Sequence, residues 1–240
     1  LTLNQEDLIH TARHYSQRID TFLIQREQSV FSKLIALGGS TEAESFEIQI
    51  KVKISDISPI MIALNNSQIE ILVQKHYHQH DAYFLFPDQT QGRLRFREDE
   101  AIDEKGQITS VRSRLTLLGP TQEDNFENDV LLSRSRYLAP AANSLRFYRE
   151  YFKPSSEIFI DKDRQRWLVR YKDTEFYINL DTFEKADVGF FLEIKSRTWS
   201  FRDATNKAKL TSELITLLGG SLDKTITKDY LEVVQELPSK

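Results

Sequence analysis

Three stretches of the sequence carry basic side chains at alternate positions. Arg93, Arg95 and Arg97 alternate in RLRFR, and Arg112 and Arg114 in VRSRL. Lys162, Arg164, Arg166, Arg170 and Lys172 keep one parity through KDRQRWLVRYK. A period of two is the strand period, so each set shares a strand face, with Trp167, Val169 and Tyr171 on the opposite face of the third. Taken singly, each strand reads as the wet face of a half-exposed sheet. Taken together, like charges facing one another across a sheet repel and require a counter-charge. Arginine presents a fork of donors matched to phosphate oxygens, which lysine does not. The chemistry these residues suit is recognition of a multiply phosphorylated ligand.

Two further stretches mix charge signs on one face. FEIQIKVK (46–53) aligns Glu47, Gln49, Lys51 and Lys53, and GFFLEIK (189–195) aligns Glu193 and Lys195. His76, His78 and His80 share a strand face in HYHQHD. That arrangement could bind zinc, against the plainer reading of a wet face with neutral imidazoles. Ser110, Ser113 and Ser133 lack a nucleophile's context, and no phosphate-binding glycine motif is present.

These faces need strands to hold them, and the composition allows a folded domain. The 240 residues are 40% hydrophobic, with 15 Phe and 9 Tyr. The net charge of −4 gives no general attraction for double-stranded nucleic acid or anionic lipid, so the basic residues matter only where the fold gathers them. The absence of cysteine excludes disulfides, thiolate zinc sites and a cysteine nucleophile, and fits a reducing, cytoplasmic location. No stretch approaches a membrane span, and LTLNQEDLIH lacks a signal peptide's regions, so no membrane partner is expected.

Residues 5–37 are expected to form a helix, with a break allowed, ending at Gly38-Gly39 and packing on the main domain or on a second copy as a homodimer. Strands are expected over 46–54, 69–77, 82–87, 92–98, 108–118, 157–161, 165–172, 175–181 and 189–196. Helices are expected after Ser58-Pro59 and over 140–151, 203–218 and 227–236. The expected organisation is an N-terminal helical extension (1–40), a main domain (45–220) and a C-terminal helical tail (221–240). The fold class is α+β: a closed or strongly curved antiparallel β-barrel with flanking helices.

Several motifs, in order, resemble those of the CYTH family, the triphosphate tunnel metalloenzymes. Glu47-x-Gln49-x-Lys51 is similar to its E-x-E-x-K strand, DAYFLFP (81–87) to its D-x-Y-F segment and RLRFRED to its L-R-x-R strand. LTLLGP (115–120) is similar to L-T-x-K-G-P, and INLDTFEKADVGFFLEIK (178–195) to the closing run with F-x-E-x-E. The resemblance implies an eight-stranded antiparallel tunnel in which basic side chains grip a triphosphate and glutamates hold a divalent metal, Mg²⁺ or Mn²⁺. Glu47 and Glu193, with Asp181, are then the expected metal ligands, and Glu47, Glu193 and Lys51 the catalytic candidates. Lys51, Lys53, Arg93, Arg95, Arg112, Arg114, Lys162, Arg164 and Lys195 are the expected phosphate contacts, with Arg166 and Arg170 in reserve. Gln49, Leu118 and Lys195 depart from the pattern. An amide and an ammonium in place of two carboxylates imply a weakened or single metal site, or Lys195 contacting phosphate where a metal would sit.

The leading expectation is hydrolysis of a nucleoside triphosphate or inorganic tripolyphosphate. Adenylate cyclase activity is the alternative within chemistry. A non-catalytic nucleotide or polyphosphate sensor is favoured by Gln49 and Lys195, and a protein-binding domain whose basic strands pair with its acids is the remaining class.

Overall fold

The computed structural model describes residues 9, 11–19, 29–41, 46–88, 90, 92–118, 122–126, 130–134, 137–183 and 188–236. Residues 11–19 are helical (α1) and exposed. A separate helix, α2 (Val30–Ala36), starts at Ser29, whose hydroxyl accepts from the Ser32 amide at 3.0 Å. The long helix expected over 5–37 is therefore broken before Val30. Gly38 ends α2 with φ +83°, a conformation that costs a residue with a side chain far more than glycine.

Among the described residues eleven strands form one sheet: β1 (Ser40–Thr41), β2 (Phe46–Ile54), β3 (Ile69–Leu85), β4 (Arg93–Ile102), β5 (Ile108–Leu118), β6 (Gln122–Asn125), β7 (Leu131–Arg134), β8 (Tyr137–Pro140), β9 (Ser156–Tyr171), β10 (Thr174–Phe183) and β11 (Phe190–Thr198). Their order is β1-β8-β5-β4-β3-β9-β10-β11-β2-β7-β6. Among the described residues β1 and β6 are free edges, so the sheet is open rather than the closed eight-stranded barrel expected. It curls, because one face of every strand from β5 round to β2 lines a common cavity.

The stretches expected as separate strands at 69–77 and 82–87 are one 17-residue strand, and those at 157–161 and 165–172 one of 16. The polar gap in each fills the gap in the other: His78 lies opposite Asp163 and His80 opposite Asp161. Opposite charges across a ladder stabilise the pair that either sequence alone leaves ambiguous. Lys172 and Asp173, both at positive φ, form the two-residue turn joining β9 to β10.

Two apolar clusters cover the outside of the curl. Helix α5 (Phe201–Leu217) lays Ala204, Ala208, Leu214 and Ile215 on Ile48, Ile50, Trp167, Ile178 and Ile194, with α3 (Ser58–Ala63) adding Ile60. Helices α2 and α4 (Leu145–Phe152) pack Leu34, Tyr148 and Phe152 on Phe84, Leu94, Phe96 and Leu115. Because apolar side chains alternate outward to these helices, the charged positions of the same strands are left facing inward. The last helix, α6 (Tyr230–Gln235), sits at one end of the curl. There Tyr230 joins Phe183 and Phe191, with ring centroids 5.0 and 5.4 Å away.

Candidate functional site: a cationic pocket

The curled sheet encloses a cavity of about 1210 Å³. Its wall carries twelve lysines and arginines against five carboxylates, in a chain whose net charge is −4. The register explains the crowding. Reading across β3, β9, β10, β11 and β2, the residues Lys75, Arg166, Asn179, Glu193 and Lys51 fall in one row. One row along, Leu168, Tyr177, Lys195 and Gln49 align. On the other side, Asp81, Arg97 and Arg114 align across β3, β4 and β5, and next to them Gln79, Asp99 and Arg112.

Most of the expected site residues meet here. Glu47, Lys51, Arg93, Arg95, Arg112, Arg114, Lys162, Arg164, Glu193 and Lys195 all line the cavity, together with Arg97, Arg166 and Gln49. Asp181 and Lys53 do not. The Phe183–Phe191–Tyr230 cluster fills the curl at their level, and Lys53 lies directly opposite Phe191 in the β11–β2 register. Lys53 is exposed, whereas Asp181 is fully buried beneath the pocket. Arg170 falls beyond the pocket, paired with Glu70 and Glu175.

Three buried carboxylates orient the arginines. Asp81 accepts from Arg97 Nε at 2.5 Å, and a second Arg97 nitrogen completes a fork. Burial pushes the Asp81 carboxyl up, but the charges of Arg97 and Arg95 outweigh it and hold it well below the usual carboxylate range. Asp181 accepts the same fork from Arg164, lies 3.6 Å from Lys162 Nζ and accepts from the Tyr230 hydroxyl. Asp99 lies 3.2 Å from Arg114 and accepts from the Gln79 amide. A forked arginine has little rotational freedom, so its remaining donors point in one direction before any ligand arrives.

Glu193 accepts from Arg164 and from Asn179 Nδ2, each at 3.1 Å. Burial raises its carboxyl, and the charges of Lys195 and Arg164 override that and lower it to about 2. Lys195 Nζ lies 3.2 Å from Glu47 Oε1 and 3.4 Å from Glu193 Oε1, so one ammonium bridges both expected metal ligands. Burial pushes the Lys51 ammonium down, with Glu193 opposing, and pushes Lys162 well down, reinforced by Arg164. Arg166 donates to Asn179 Oδ1 at 2.7 Å and lies between the rings of Tyr77 and Tyr177 at 5.9 and 5.7 Å.

The C-terminal segment, expected as a tail, completes the wall. Asp229 and Glu232 form a capping box that starts α6, and both carboxylates also face Arg93, Asp229 in direct contact and Glu232 at 3.9 Å. Lys51 donates to the Lys228 carbonyl, and the Tyr230 ring lies 4.3 Å from Lys51 Nζ and 4.4 Å from Lys162 Nζ. The D-x-x-E spacing marks the helix start in the sequence, but nothing local marks its insertion into the pocket.

The CYTH domain profile matches residues 45–230, the span that builds this pocket. The chain belongs to the CYTH family. Solved structures agree on the fold of this CYTH chain. It is similar to the PH1819 protein from Pyrococcus horikoshii OT3 at 21% identity, over 79% of this chain and 98% of that one, with TM-score 0.60. A putative adenylate cyclase from Vibrio parahaemolyticus is 14% identical over 80% and 99%, with TM-score 0.58. A conserved hypothetical protein from Pyrococcus furiosus is 20% identical over 78% and 99%, with TM-score 0.51. Among curated proteins, none matches the chain.

Proposed function

We propose that this CYTH protein binds a triphosphate in the cationic pocket and hydrolyses it, the substrate being a nucleoside triphosphate or inorganic tripolyphosphate. The observation that carries the reading is the excess of twelve cationic over five anionic side chains on one cavity wall. Asp81 and Asp181 behind the wall offset part of this charge, and the cationic excess that remains favours a polyanion. Forked Arg97 and Arg164, with Arg95 and Arg114 beside them, supply directed donors, and Lys51, Lys162 and Lys195 supply point charges. Along β9 the lining turns apolar at Leu168, flanked by Val73 and Tyr177 in the neighbouring strands, which suits a nucleoside at the open end.

The residues fit one hard divalent ion, Mg²⁺ or Mn²⁺, and no more. Glu47 and Glu193 each offer a carboxylate, Gln49 lines the pocket with an uncharged amide, and Asp181 is committed to Arg164, Lys162 and Tyr230. When bound, such an ion polarises the phosphoryl group and offsets its charge. Hydrolysis joins a water oxygen to the terminal phosphorus and breaks its bond to the bridging oxygen, with the water's proton passing to phosphate or solvent. The protein's part is position and charge: arginine and lysine donors meet the negative charge that gathers on the bridging oxygen.

The Lys195 ammonium between Glu47 and Glu193 favours a second reading, a sensor that binds triphosphate without turnover. One assay separates them. Purified protein with Mg²⁺ or Mn²⁺ should release phosphate from ATP or tripolyphosphate; cyclic AMP from ATP would assign cyclisation instead. No turnover, with thermal stabilisation by tripolyphosphate in EDTA, would favour the sensor. No stabilisation by any polyphosphate would overturn both.

A further inference from the structure

On the wall's outer face, β3 turns three histidines toward the acids of β9. Tyr77 lines the cavity and Gln79 and Asp81 are buried at the same parity, while His76, His78 and His80 occupy the alternate positions, His76 also bordering the cavity. The strand runs unbroken through Gln79, so the trio stays on one face. Antiparallel register sets His78 opposite Asp163 and leaves His76 on its diagonal. Both rings aim the same nitrogen at the same atom: His76 Nε2 lies 2.6 Å and His78 Nε2 3.1 Å from Asp163 Oδ2.

We infer that His76, His78 and Asp163 form a site for one zinc-class divalent ion on the outside of the pocket wall. The ligand atoms all lie within 4.8 Å of one another. In a four-coordinate zinc site with bonds of ~2.0 Å, ligand atoms stand ~3.3 Å apart, so small side-chain rotations suffice. The ion takes the place of the close contacts that now join both rings to the carboxylate, each neutral imidazole coordinating through Nε2. All three ligands sit on paired strands rather than loops, so their relative positions are fixed before the ion arrives. Their side chains are 30–45% exposed, which gives entry from solvent and leaves a fourth position for water.

The third histidine is engaged by other acids and is left out of the site. Asp161 holds His80 Nδ1 at 2.9 Å, and Glu100, opposite His78 across β4, lies 3.5 Å from His80 Nε2. Two imidazoles and one carboxylate favour zinc, nickel, copper or cobalt over Mg²⁺, whereas the pocket's carboxylates favour Mg²⁺ with phosphate oxygens. The two sites are therefore separable by metal type. Bound zinc would clamp β3 to β9 behind Tyr77 and Arg164, which lie opposite each other in the same register.

The test is a zinc titration of the chelator-stripped full chain in excess Mg²⁺, with Co²⁺ as a spectroscopic probe. Expected are one zinc per chain that Mg²⁺ does not displace, a raised melting temperature and a four-coordinate Co²⁺ spectrum. His78→Gln and Asp163→Asn should each weaken zinc by more than the ~10–100-fold that losing an outer-shell partner costs. Glu193→Gln should leave zinc binding intact. Wild-type chain that binds no zinc, or zinc affinity unmoved in both His78→Gln and Asp163→Asn, overturns the site. Zinc lost in Glu193→Gln overturns it too, by placing the ion in the pocket. Two variants in different strands guard against one that misfolds, which metal-free melting curves reveal.

Discussion

Lys195 Nζ stands 3.2 Å from Glu47 Oε1, where a cation shared with Glu193 would also bind. The ammonium is a fixed competitor for any divalent ion. Replacing it should remove that competitor, and Lys195→Glu should add a third carboxylate. At an effective dielectric of ~20, one unit of charge at ~4 Å is worth ~4 kcal/mol before screening and reorganisation. Divalent-metal binding should therefore tighten by at least about tenfold, read by Mn²⁺ titration. An unchanged titration would place the metal elsewhere.

Glu193→Gln tests the other half of that pair. It keeps the side chain's shape and a hydrogen-bond acceptor for Asn179 and Arg164 but removes the charge. Metal-dependent turnover should fall by about 10²–10³-fold, the range seen when one electrostatic contact to a transition state is lost. Tripolyphosphate binding in EDTA should persist or strengthen, because a carboxylate leaves a cationic wall. Turnover retained at the wild-type level would remove Glu193 from the metal site.

The pocket was legible in the sequence because strand parity survives folding. Alternation placed Arg93, Arg95, Arg112, Arg114, Lys162 and Arg164 on shared faces, and outward packing on α4 and α5 turned those faces inward. What stayed hidden is what non-local contacts decide. Asp181 and Lys53 have the inward parity, yet the ring of Tyr230, far along the chain, fills the curl at their level. Among the described residues the closed barrel expected is an open sheet, with β1 and β6 unpaired to each other at its two edges. The split strands failed as expectations because His78–Asp163 and His80–Asp161 stabilise each other only as pairs.

The Asp229 carboxylate occupies Arg93 as a phosphate oxygen would. Asp229→Asn preserves the helix cap, since asparagine also caps well, and removes only the charge. Triphosphate affinity should rise by about 2–10-fold, in line with ~0.5–1.5 kcal/mol for a partly exposed charged contact. The helical signal should stay unchanged by circular dichroism. Weakened binding would instead make Asp229 a positioning group for Arg93.

Acid should unfold this protein through the acids that orient its arginines. The Glu193 carboxyl, ordinarily near 4.5, is lowered to about 2 in the fold, and those of Asp81 and Asp181 are lowered as well. A carboxylate with a depressed folded pKa contributes stability above its unfolded value, and that contribution is lost as pH falls through the folded one. Denaturant midpoints should thus hold steady above about pH 5 and drop steeply between about pH 4.5 and 2. The fork on Asp181 should dominate. Arg164→Met leaves Lys162 and Tyr230 facing a buried charge without its main partner, and breaking such a pair costs ~3–5 kcal/mol. In that variant the Asp181 carboxyl loses its strongest source of depression, so the acid transition should move to higher pH. A variant with unchanged stability and an unmoved transition would show that the fork orients Arg164 for its ligand without holding the fold.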